Sequence, residues 1–96
     1  MFVVLLDYIG PLAAIDELLD AHLVYLSRQY AAGVFILSGP KEPRNGGVII
    51  AKAPSLAELQ TILAQDPFQQ AGVAEYTVTE FRPRMTAAGL EAFREL

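Results

Sequence analysis

The sequence predicts an α+β protein of the ferredoxin-like class, with a four-stranded antiparallel sheet and helices on one face. Three observations lead there. Strand-like and helix-like runs alternate in the order β-α-β-β-α-β. The two middle strands are separated by a short loop, so they pair antiparallel, while a helix connects each outer pair. The first three strands are apolar on both faces, which a sheet with one face in water would not be.

The elements follow in chain order. "FVVLLD" (2–7) is rich in β-branched residues, with Phe2, Val4 and Leu6 on one face and Val3 and Leu5 on the other. Gly10 and Pro11 break the chain, and Pro11 suits the first turn of a helix. Over 12–32, Ile15, Leu18, Leu19, His22, Leu26 and Tyr30 recur at three and four, drawing one stripe along a helix. Asp16, Glu17 and Asp20 lie in its N-terminal half and Arg28 near its end, as the helix dipole favours, and Gly33 is a stop. "VFILSGP" (34–40) is a second strand ending in a turn, "PKEPRNGG" (40–47) a loop, and "VIIAKA" (48–53) the returning third strand. "PSLAELQTILAQ" (54–65) opens with a capping box, Ser55 accepting from the backbone at Glu58 and Glu58 reaching back. Asp66, directly before Pro67, is placed to cap a further turn. "VAEYTVTEFRP" (73–83) is the fourth strand, closed by Pro83, and the tail "RMTAAGLEAFREL" is weakly helical. The domain thus spans 1–83 and the tail 84–96.

Composition removes several function classes. A chain of 96 residues suggests one domain. It has no cysteine, which excludes disulfides and thiolate metal sites, and a single histidine further weakens the case for a metal centre, so none is expected. Seven basic against eleven acidic side chains give a net charge of −4, a poor match for nucleic acid. The apolar runs fall far short of the roughly 20 residues that cross a bilayer, and the N-terminus lacks a basic n-region, so the expectation is a cytoplasmic protein off the membrane. No phosphate loop, nucleophile elbow or dinucleotide fingerprint is present, and no cofactor is expected. The two-faced strands would leave a larger bare apolar patch than monomers tolerate. A homodimer, sheet against sheet about a two-fold axis, is therefore expected. The competing possibility is that the tail folds over its own sheet.

Few residues carry chemistry. His22 lies on the apolar stripe of the first helix, where it is either interior packing or the one side chain suited to proton transfer near neutrality. Asp66 is explained by capping alone, yet a carboxylate can accept from backbone and imidazole together. Ser38 and Gly39 of "SGP" offer a hydroxyl and an approachable backbone at a strand end. Tyr8 and Tyr76 read as packing, and Lys41 and Arg44 as solvated loop charges or a greeting for an anion.

"AHLVYL" (21–26), "GVFILSGP" (33–40) and "DPFQQAG" (66–72), in this order and spacing, resemble the YCII-related family over about residues 1–83. The resemblance implies a dimeric α+β barrel built from ferredoxin-like domains. It implies an active site on a histidine–aspartate pair, here His22 and Asp66, with Ser38 and Gly39 nearby as ligand-binding groups. Family members often carry a basic residue one turn before the histidine; Leu19 stands there in this chain, so no anion-binding role transfers to that position. The style of chemistry implied is cofactor-free proton abstraction or elimination, of lyase or isomerase type; the resemblance does not imply the substrate, and a small aromatic or anionic metabolite is this chain's expected substrate class. The alternative is a non-catalytic dimer that binds a small molecule or serves as an accessory subunit.

Overall fold

The structure, a computed structural model, describes residues 1–95. Its elements are β1 (Phe2–Tyr8), α1 (Leu12–Ala31), β2 (Phe35–Pro40), β3 (Gly46–Ala51), α2 (Leu56–Leu63), α3 (Pro67–Gln70) and β4 (Ala74–Glu80). The four strands form one antiparallel sheet in the order β2-β3-β1-β4, the ferredoxin-like arrangement expected. Phe2, Val4 and Leu6 of β1 are buried with Ile49 and Ala51 of β3, Ala74 of β4, Ile15 and Tyr25 of α1, and Leu59 and Leu63 of α2. This core lies between the sheet and its helices.

Local chemistry sets the boundaries. Pro11 occupies the N-cap of α1, Arg28 stands in its last turn, and Gly33 follows with φ 77°, a conformation glycine adopts without steric cost. Ser55 accepts from the Glu58 amide at 3.2 Å, which is half of the expected capping box. The other half differs, because the Glu58 carboxylate lies 3.4 Å from the Ser55 hydroxyl instead of reaching the Ser55 backbone.

Three expectations are corrected. The third strand begins at Gly46 and ends at Ala51, earlier than the 48–53 read from the sequence. "NGG" looks like a turn, but Gly46 already pairs with Asp7, and a Cβ there would lie 1.8 Å from the Leu6 carbonyl oxygen. Only glycine lets β3 run this close to β1. On α1 the buried side chains are Ile15, His22 and Tyr25. Tyr25, absent from the predicted stripe, is buried because its hydroxyl donates to the Ile62 carbonyl at 2.9 Å, whereas Tyr30 is exposed. The fourth strand ends at Glu80 rather than Pro83.

The pairing of β2 with β3 slips between Phe35, opposite Ala51, and Leu37, opposite Ile50. This bulge decides which face of the sheet Ser38 occupies. Strict alternation from Phe35, which faces the helices, would send Ser38 to the opposite face. The extra residue restores Ser38 to the helix side, opposite the buried Ile49, and turns Leu37 outward.

Beyond β4 the chain turns back. Glu95 donates its amide to the Pro83 carbonyl at 2.8 Å and holds the N-terminal ammonium of Met1 at 3.1 Å, after a 3₁₀ turn over Glu91–Phe93. The outward sheet face keeps Leu5 and Leu37 exposed, so the described tail leaves those positions uncovered. Among the described residues, no helix is long and apolar enough to cross a membrane.

Candidate functional site

Asp66 is the hub of the site. The chain leaving α2 makes one sharp step, and Asp66 caps α3 by accepting from the Phe68 amide at 3.0 Å. Its side chain is wholly buried. A carboxylate there must have its oxygens occupied, because an unpaired buried charge is costly. The same Oδ1 lies 2.8 Å from Nδ1 of His22, and Oδ2 accepts from the Tyr76 hydroxyl. With donors on every side Asp66 is the acceptor, so Nδ1 of His22 carries the hydrogen. In the neutral ring, that leaves Nε2 as the nitrogen with a free lone pair.

Tyr76 extends from β4, opposite Leu6 on the helix side of the sheet. Burial foremost, and then the bond to and charge of Asp66, push its phenol far above the usual tyrosine range. Burial and then Asp66 act on Tyr25 in the same direction. Both phenols stay protonated, and Tyr76 remains a donor.

The imidazole is also stacked. Its ring lies 4.0 Å from that of Phe68, at 12° to it, and Tyr8 meets Phe68 edge-on at 6.1 Å. One short stretch, Asp66-Pro67-Phe68, therefore supplies both the hydrogen-bond partner and the stacking partner of His22. Nε2 has no protein partner among the described residues, where no buried side-chain nitrogen or oxygen lacks one, so Nε2 is not sealed in.

His22 lines a cavity of about 380 Å³ between α1 and the β2–β3 end of the sheet. The volume sits at the small end of the roughly 300–1,000 Å³ common for small-molecule sites. Leu19, Leu23, Leu26, Ile49 and Phe68 give it an apolar lining; Tyr8, Ser38 and Arg44 add polar groups. Ser38 and Gly39 both line it, as placed from the sequence. The Ser38 hydroxyl is 2.5 Å from that of Tyr30, which fixes its position. A Cβ at Gly39 would meet nothing within 4 Å, so packing within the chain does not require glycine there. Lys41 is held by Asp7 at 2.5 Å, and Arg44 reaches Asp16 at 2.7 Å. Among the described residues, no group of three or more His, Cys, Asp or Glu side chains could hold a metal ion.

The His22–Asp66 contact and the cap are as expected from the sequence, whereas Tyr76, expected to pack, instead donates to Asp66. The signal was available: a tyrosine on the helix-facing side of a strand needs a partner for its hydroxyl. The stacking of Phe68 on His22 had no such signal.

A ferredoxin-like domain carrying a buried Asp–His pair at the wall of a small cavity defines the class of protein. The chain belongs to the YCII-related family, whose domain model matches residues 1–82. No curated protein matches it. Among solved structures it is similar to 5-chloro-2-hydroxyhydroquinone dehydrochlorinase (TftG) from Burkholderia phenoliruptrix AC1100, in complex with 2,5-dihydroxybenzoquinone. The TM-score is 0.72 at 23% identity, covering 85% of this chain and 94% of that one, a likeness of fold.

Proposed function

We propose that the protein is a small cofactor-free enzyme of lyase or isomerase type that moves a proton on a small metabolite. The observation that carries this reading is the 2.8 Å contact between His22 Nδ1 and the buried Asp66, which leaves Nε2 as a base at the cavity. His22 takes the substrate proton at Nε2 and returns it, or protonates a leaving group. Asp66 holds the tautomer and offsets the positive charge of the imidazolium. Ser38 and the Gly39 backbone hold a ligand oxygen. The fold neighbour, a dehydrochlorinase solved with a dihydroxybenzoquinone, supports elimination on an aromatic metabolite as the style of chemistry.

The reading includes a homodimer through the open sheet face, as in a dimeric α+β barrel. Leu5 and Leu37 are exposed there, and Val3, Val48 and Ile50 are half-buried on the same face. An apolar face of this extent is better covered than solvated.

A second reading, a non-catalytic binding module or accessory subunit, draws on one observation. Asp66 already has a structural role as the cap of α3 and partner of Tyr76. The two readings separate in heavy water. A panel of aromatic and carboxylic metabolites is incubated with the wild-type protein and with His22→Gln, and followed by NMR for conversion or deuterium uptake. Conversion or uptake with the wild type alone supports the enzyme. Binding without either favours the module.

A further inference from the structure

We infer that Arg44 selects the ligand of this cavity for negative charge, so that the site takes a ring-sized carboxylate or phenolate over its neutral isostere. The inference deepens the proposal above and rests on its reading of the cavity as a ligand site. The chain is acidic overall, with eleven acidic against seven basic side chains. Even so, among the described residues no carboxylate lines the cavity; the polar lining side chains are His22, Tyr8, Ser38 and Arg44. Asp66 stands behind the imidazole, wholly buried. The lining thus offers hydrogens and one permanent positive charge to a body otherwise enclosed by apolar side chains. A ligand complementary to it carries an oxyanion.

Arg44 is the cation free to serve. Lys41 is absent from the lining and held by Asp7 at 2.5 Å. Arg44 is anchored through its backbone surroundings: the Tyr8 amide donates to the Asn45 carbonyl at 2.9 Å, and the Lys41 amide to the Gly46 carbonyl at 2.9 Å. Its guanidinium touches Asp16 on α1 through Nη2 alone. The other donors of the fork remain for a second, bidentate partner. The two side chains are 43% and 57% exposed. An ion pair that open to water contributes little, so an oxyanion in the cavity can compete for the guanidinium. Asp16 then acts as a parking place that holds Arg44 at the cavity lining.

Benzoate and benzamide are suitable probes, being nearly isosteric and different in charge. Binding of each is followed by amide shifts at low ionic strength for the wild type, Arg44→Gln and His22→Gln. Wild-type protein is expected to prefer benzoate by about tenfold or more. The preference should disappear in Arg44→Gln and persist in His22→Gln, which assigns it to the guanidinium rather than to an imidazolium. Equal binding of the two probes by the wild type, no saturable shift with benzoate, or a preference that survives Arg44→Gln would each overturn the inference. These outcomes need no turnover. They are distinct from the deuterium result, which can fail while charge selection stands.

Discussion

Tyr76 donates to Oδ2 of Asp66, the oxygen that His22 leaves free, so one buried carboxylate is held from β4 on one side and presents itself to α1 on the other. The arrangement resembles a vice. Phe68 N–H and the phenol fix the carboxylate, and the carboxylate fixes the imidazole. Rotation of His22 would break the bond to Asp66 and the stacking on Phe68 together.

Removing the imidazole tests the chemistry. His22→Gln is expected to lower the turnover of any substrate by about 10²–10⁴, the usual contribution of a positioned acid or base. Glutamine is of similar length and can donate its side-chain amide to Asp66 in place of Nδ1, so circular dichroism should show an intact fold. A loss of helix signal in step with the loss of activity would make the residue structural.

Asp66→Asn and Asp66→Ala should behave differently. Asparagine can keep its carbonyl toward the Phe68 amide and Nδ1 while its amide group faces Tyr76, so geometry survives and the charge is lost. Alanine removes the cap, about 0.5–2 kcal/mol. It also leaves two buried donors without partners, at roughly 1–3 kcal/mol each. Denaturant unfolding should therefore rank Asp66→Ala well below Asp66→Asn in stability, and turnover should fall steeply in both. A second substitution at His22 should add little to the turnover loss, because groups that act as a unit are not additive.

Alkaline pH provides a test of the buried phenols. Burial first, and the Asp66 charge after it, raise both Tyr76 and Tyr25 far above the usual range. A raised folded-state pKa means that the unfolded chain ionises first. This part of the stability is thus intact below the ordinary tyrosine pKa of about 10 and declines as pH climbs above it. The full tyrosinate absorbance of the four tyrosines should appear only together with cooperative loss of circular dichroism. Complete ionisation of a folded protein would show that Tyr76 is not enclosed with Asp66.

The open sheet face predicts an oligomer. Light scattering on the eluting protein should give twice the 10.4 kDa chain mass, and Leu37→Asp should shift it toward the monomer. Leu37 is 57% exposed in the isolated chain, so the substitution disturbs no internal packing. A wild-type monomer at high concentration would remove the dimer.

Much of this was legible because it is local or periodic. The Ser55 cap, the Asp66–Pro67 step and the two-faced apolar strands each follow from a few neighbouring residues, and they fix element order and hence the sheet. The bulge in β2 was not legible. Phe35, Ile36 and Leu37 are all apolar, so a slip of one residue leaves no trace in the pattern, although it decides that Ser38 faces the cavity. Gly46 looked like a turn because the close approach that demands it comes from Leu6, far away in the chain. The places of Tyr25 and Tyr76 are hidden for the same reason, since their hydroxyls are satisfied across the fold by Ile62 and Asp66.

Nitrogen NMR of the imidazole reaches the decisive atom. Long-range proton–nitrogen correlations on the neutral ring distinguish which nitrogen bears the hydrogen, and the single histidine makes assignment immediate. The expected result is a hydrogen on Nδ1, slow to exchange, with Nε2 as the free lone pair. Predominance of the Nε2-protonated tautomer, or a tautomer balance that Asp66→Ala leaves unchanged, would contradict the paired site.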